Sequence, residues 1–126
     1  MNLRNLFTLN LIFAVFFGLS CSLLPVWVLQ LYGLVPGEAA IWTTRLAGGS
    51  ILGFATLMWF GRKSASPEAR RAIAVALLVQ DLVGLFASIE IQLSGSVNAF
   101  GWSSILLYGF LSIAYAYFVF VGRQRS

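Results

Sequence analysis

Apolar residues fill four long runs in this chain, separated by short polar or turn-forming pieces. The runs predict helices at about 6–24, 39–60, 67–93 and 99–121. Each is near the roughly 20 residues that a helix needs to cross a bilayer. Pro25 ends or kinks the first. The sequence VWVLQLYGLV follows at about 26–35 and stays apolar until Pro36 and Gly37 turn the chain. Helix one cannot absorb it without far exceeding the bilayer thickness. It reads as an interfacial or re-entrant segment with Trp27 and Tyr32 at headgroup level. Two roles fit it: a hydrophobic connection on the membrane surface, or a lid over an opening between helices.

Polar positions inside the runs fall on stripes. In AAIWTTRLAGGSILGFATLMWF, Arg45, Gly49, Gly53 and Thr56 are spaced four, four and three apart, which sets them on one helical face. A guanidinium beside small residues must face protein or water, so this stripe is expected to line a helix contact. Gly18 sits in a similar stripe with Asn10, Ala14 and Ser22. Gly84 shares a stripe with Ala74, Asp81, Ser88 and Gln92. Gly49, Gly53, Gly18 and Gly84 are therefore the expected points of close helix approach.

The connections carry their own signals. In GRKSASPEARR, Ser66 is a helix N-cap, Pro67 the first helical residue and Glu68 an acid in the first turn. LSGSVN is a turn, with Asn98 as the expected cap of the last helix. These signals together predict an all-α, membrane-embedded antiparallel four-helix bundle. It runs up-down-up-down as one domain over 1–126, with the segment at about 26–35 outside.

Composition supports this and charge orients it. The 126 residues are 60% hydrophobic and 10% charged, too apolar for a soluble domain of this length to conceal. The net charge of +4 does not signal nucleic acid, because the cations lie at the segment ends. Arg4, Arg62, Lys63, Arg70, Arg71, Arg123 and Arg125 all fall on one side of a four-span topology, which makes both termini and the central loop cytoplasmic. Trp27, Trp42 and Trp102 then mark the outer boundary and Trp59 the inner one. The first run also invites a signal-peptide reading, or a lipoprotein signal ending at Cys21. However, Gly18, Leu19 and Ser20 match that signal poorly and the apolar run continues past the cysteine. An uncleaved first helix is expected.

Candidate chemistry is sparse. There is no His, Cys21 has no second thiol, and no phosphate-binding glycine loop is present. No catalytic group, cofactor or metal is therefore expected. The charges inside the helices remain. Helical rise and side-chain lean bring Glu90 toward Arg45 and carry Asp81 away from it, so the expected direct pair is Arg45 with Glu90, a structural tie. Asp81 and Glu90 are nine residues apart, on opposite faces, which argues against a paired-carboxylate centre. Tyr108, Ser112 and Tyr115 share a stripe on the last helix and are the expected hydrogen-bond donors to Asp81. Asp81 is either a proton or ligand site or a structural polar clamp.

The order of a first helix ending LLP, then LQLYGL, TTRLAGGSILGFATLMW, a basic loop and a third helix with Asp81 resembles small four-helix bacterial membrane proteins of unknown function, including the DoxX-like families. The resemblance covers most of the chain and implies the bacterial cytoplasmic (inner) membrane. DoxX-like proteins are associated with redox and thiol-stress complexes. This chain has one cysteine, so no residue role is carried over. Two functions are expected as alternatives. One is a non-enzymatic protein that binds a lipid-like small molecule or another membrane protein. The other is a small homodimeric, proton-coupled transporter using Asp81. Small multidrug transporters are of similar size, but carry their essential carboxylate in the first helix, where this chain has none.

Overall fold

The computed structural model describes residues 2–121. Arg123 and Arg125, two cations of the expected basic end, lie outside the described residues. Five helices make up the described chain: α1 Leu3–Leu23, α2 Pro25–Leu31, α3 Glu38–Lys63, α4 Pro67–Leu93 and α5 Gly101–Phe120.

Local chemistry sets their ends. α1 begins three residues earlier than the apolar run suggests, because the Asn2 side chain accepts a hydrogen bond from the Asn5 N–H at 2.8 Å and caps it. α4 begins as its signals require, with Ser66 Oγ accepting from the Ala69 N–H at 3.2 Å and Pro67 at the first position. Asn98 does not cap α5, which starts at Gly101 behind a turn. The Asn98 side chain instead accepts from the Phe100 N–H at 3.0 Å and donates to the Leu31 carbonyl at 2.9 Å. The short α2 is helical from Pro25 and buries Pro25, Val28 and Leu29 while Trp27 stays exposed.

Among the described residues, three helices, α1, α4 and α5, are long and apolar enough to cross a membrane. α3 is 26 residues long but less apolar, since Arg45, its two threonines before that arginine and its glycines dilute the hydrophobic run. Outward-facing Ile12, Phe16, Phe86, Leu106 and Ile113 are all exposed. An aqueous surface rarely carries so many exposed large apolar side chains, whereas a lipid-facing one does.

α1 packs mainly on α3, and α4 mainly on α5, in antiparallel pairs. Phe7 and Ile73 lie against Gly61, and Ser22 lies against Gly48. A Cβ on Gly48 would meet Ser22 Oγ at 2.5 Å and the Gly18 carbonyl at 2.8 Å. Gly18 would strike the Leu52 side chain at 2.9 Å. Backbone approach of this kind needs glycine. In the second pair, a Cβ on Gly84 would meet the Tyr108 ring at 2.6 Å.

The expected contact stripe on α3 meets no other helix within the described chain. Gly49 and Gly53 are exposed, with nothing within 4 Å of a Cβ at either. The face turned inward carries Gly48, Ala55, Met58 and Gly61 instead. Gly48 and Gly49 lie about 100° apart around the helix, and the closer fit against α1 decides between them.

The two pairs join at both ends. Near the basic loop, Leu3, Leu6, Phe7, Met58, Leu77 and Tyr115 form the fully buried centre. At the opposite end, α2 is strapped to the start of α5. Tyr32 hydrogen-bonds Ser104 through its hydroxyl, its carbonyl accepts from the Asn98 N–H at 3.0 Å, and its ring meets Phe100 edge-on at 5.1 Å. Burial pushes the Tyr32 phenol above its ordinary pKa, with the Ser104 hydrogen bond acting the other way. Gly33 adopts φ +75° beside Asn98, a conformation that favours glycine.

The two neighbouring glycines give a direct test. Gly48→Ala is expected to lower stability in detergent melts by about 1–3 kcal/mol through overpacking. In detergent-solubilised monomer, Gly49→Ala should leave the melt unchanged, since nothing within the protomer lies within 4 Å of that position.

Candidate functional site

The candidate site is the polar interior between the two helix pairs. Asn10, Asp81 and Ser112 are its buried polar residues, and Tyr115 is fully buried with them. Tyr115 is the hub. Its hydroxyl accepts from Asn10 Nδ2 at 2.9 Å and is aimed at Met58 Sδ at 3.9 Å, while its ring packs 6.1 Å from that of Phe7. One phenol thus links α5 to α1 and α3. An orphaned buried hydroxyl or amide costs about 1–3 kcal/mol, so this pairing is what makes both groups tolerable inside.

Asp81 lies on the inward face of α4 and is 2% exposed. Its Oδ2 and the Ser112 Oγ are both buried without a hydrogen-bond partner. None of Tyr108, Ser112 and Tyr115 donates to the Asp81 carboxyl, which corrects the expected clamp. Tyr115 accepts from Asn10 and turns its own O–H toward Met58, and Tyr108 lays its ring against Gly84. The result is an acceptor and a hydroxyl in the interior with unused hydrogen-bonding capacity.

The expected Arg45–Glu90 tie does not form. Both residues are exposed, and no hydrogen bond or ion pair joins them. The cause is rotational. Burying Gly48 carries Arg45 out with Gly49 and Gly53, and burying Asp81 turns Glu90 outward, half a turn away around α4. Asp81 does not meet Arg45 either. Of the six polar candidates, the structure gathers Asp81, Tyr108, Ser112 and Tyr115 inside and leaves Arg45 and Glu90 on the outer surface.

Sequence reasoning placed Asn10 in a helix contact but missed its role as the partner of Tyr115. The available signal was an amide on the small-residue stripe of α1, beyond the polar start of that helix. Met58 carried no signal, since a thioether in an apolar helix usually only fills space. Gln92 is a further interior polar group: its Nε2 donates to the Asn98 carbonyl at 3.3 Å while its buried Oε1 is unpartnered against Gly101. Cys21 is buried as a single thiol. Among the described residues, no cluster of His, Cys, Asp or Glu could hold a metal ion.

The described residues are thus all-helical, with three helices long and apolar enough to cross a membrane and a polar interior that has unused hydrogen-bonding capacity. No family profile, curated protein or solved structure matches it.

The site separates two substitutions. Tyr115→Phe should cost about 1–3 kcal/mol, because Asn10 loses its partner in the interior. In detergent-solubilised monomer, Glu90→Gln should stay within about 0.5 kcal/mol of the unmodified protein, since Glu90 is exposed and unpaired within the protomer. Chemical or thermal denaturation in detergent reads both.

Proposed function

We propose that the chain is a four-span integral membrane protein, an up-down-up-down bundle with both termini and the central loop cytoplasmic. Its role is non-enzymatic: lateral docking of another transmembrane surface on the outward face of α3. The bacterial cytoplasmic membrane is the location that the DoxX-like resemblance implies.

One observation carries this reading. Arg45 is exposed about seven residues, or roughly 10 Å, into α3 and has no acid partner among the described residues. Lipid at that depth disfavours a guanidinium by several kcal/mol unless it reaches the interface or meets protein. The groove of Gly49 and Gly53 beside it is open, as a close-packing partner helix requires. Glu90 is likewise exposed and unpaired in the same half of the span, near the end of α4. The charges are complementary across molecules, so the occupant we propose is a second copy, with Arg45 of one protomer facing Glu90 of the other. Lipid-like ligands would enter such an assembly through the same interface.

The positions of Arg4, Arg62, Lys63, Arg70 and Arg71 support the orientation. α3 completes the fourth span in this reading, because partner protein, and not lipid, covers its least apolar side.

Charge reversal tests the docking. Arg45→Glu and Glu90→Arg should each shift the protein toward monomer in nanodiscs, and the double variant should restore the dimer. Monomer in every variant, the unmodified protein included, would contradict the reading. So would a dimer indifferent to all three.

The unpartnered Asp81 Oδ2 favours a second reading, a dimeric transporter in which this carboxyl takes up and releases the coupling proton. Asp81→Asn should then fold and dimerise normally yet abolish proton-driven substrate flux in liposomes. Unchanged flux would remove Asp81 from any coupling role.

A further inference from the structure

The start of α1 and the end of α3 enclose an open cleft of about 330 Å³ lined by Arg4, Asn5, Thr8, Arg62 and Lys63. Three of these five side chains are cations. The chain has only four acidic residues, and none of them lines the cleft. The neighbouring cavity of about 160 Å³ differs in this respect: there Arg71 is accompanied by Glu68, and its guanidinium donates to the Val119 carbonyl at 2.7 Å. The cleft of Arg4, Arg62 and Lys63 has no such balance, and like charges gathered without a counter-ion repel one another.

The cations are also held in place. The Arg62 guanidinium lies 4.2 Å from the Trp59 ring centroid and the Lys63 ammonium 4.0 Å from it. Stacking on a ring uses the face of a guanidinium and leaves its in-plane N–H edges for an acceptor. Arg62 Nε is buried there without a hydrogen-bond partner among the described residues. The N-terminus of α1 opens onto the same space and adds its partial positive charge. Trp59 lies one turn before the end of α3, the level at which tryptophan rings mark the membrane interface.

We propose that this cleft is a binding site for a phosphate-bearing anion. The source that its depth favours is the headgroup of an anionic phospholipid in the adjoining leaflet. Arg62 and Lys63 grip the phosphate oxygens, Arg4 closes the site from α1, and the Asn5 amide offers a neutral donor. The bound phosphate neutralises the cluster and ties the start of α1 to the end of α3. The site needs only the α1–α3 pair and stands or falls separately from the docking of a second copy on α3.

The test embeds the full chain in nanodiscs of phosphatidylcholine with a minor share of phosphatidylglycerol, and reads lipids retained after release by native mass spectrometry. Phosphatidylglycerol should be retained in preference to phosphatidylcholine. The preference should fall roughly fivefold in Arg62→Gln and roughly thirtyfold in Arg62→Gln/Lys63→Gln, at about one interaction of this strength per cation. Arg4→Gln, on the other helix, should act like Arg62→Gln if the α3 variants fail to fold. A parallel arm titrates inorganic phosphate onto lipid-free, detergent-solubilised protein. Binding there, with no selection of phosphatidylglycerol, would support the anion site and assign it a soluble phosphate source. No selection in either arm would overturn the proposal. An equal loss in Arg71→Gln would also overturn it, since that cation belongs to the neighbouring cavity and the effect would be net charge alone.

Discussion

The close approach of α1 to α3 at Gly18 and Gly48 governs the rest of the structure. With the Gly18 carbonyl this near, no side chain fits at position 48, and α3 can adopt one rotation about its axis. That rotation turns Ala55, Met58 and Gly61 inward with Gly48. It therefore also determines what faces out: Arg45, Gly49, Gly53 and Thr56, all exposed. Met58 reaches Tyr115 because of the same setting, and Tyr115 in turn holds Asn10. A contact between two glycines thus fixes the position of the polar interior and of the outward arginine together.

Two kinds of unsatisfied chemistry follow, and they differ in what would satisfy them. Inside, Asp81 and Ser112 are sealed from solvent with hydrogen-bonding capacity unused. A proton, a small polar molecule or a rearranged Tyr108 could meet it. Outside, Arg45 and Glu90 are available to whatever lies alongside the protein. Lipid meets that need badly in the middle of a leaflet and protein meets it well. The α2 segment is tied to Asn98 and Ser104 at the end of the bundle away from the basic loop.

Much of the helical arrangement was legible in the sequence. Hydrophobic run length gave the long helices, and Ser66 with Pro67 gave the start of α4 to the residue. The nine-residue spacing separated Asp81 from Glu90, one buried and one exposed. What was illegible was rotation. Gly48 and Gly49 are adjacent, each heads a plausible small-residue stripe, and only the fit against α1 chooses. The expected Arg45–Glu90 tie failed for this reason, since it assumed the wrong face of α3. Asn98 misled for another: an Asn before a helix reads as a cap, and its bond to Leu31, 67 residues away in sequence, leaves no local trace. Long-range side-chain partners such as Asn10 with Tyr115 are equally invisible to periodicity.

The central claim is that α3 has a satisfied face at Gly48 and an unsatisfied one at Gly49 and Gly53 that a second copy covers. Oxidative cross-linking in native membranes addresses it most directly, using Gly53→Cys in a Cys21→Ser background. The account predicts a disulfide-linked dimer from Gly53→Cys and none from a cysteine at the lipid-facing position of Ile113 on α5. Gly53→Cys protein that stays monomeric under oxidant, while a membrane-permeant maleimide labels it freely, would contradict the account.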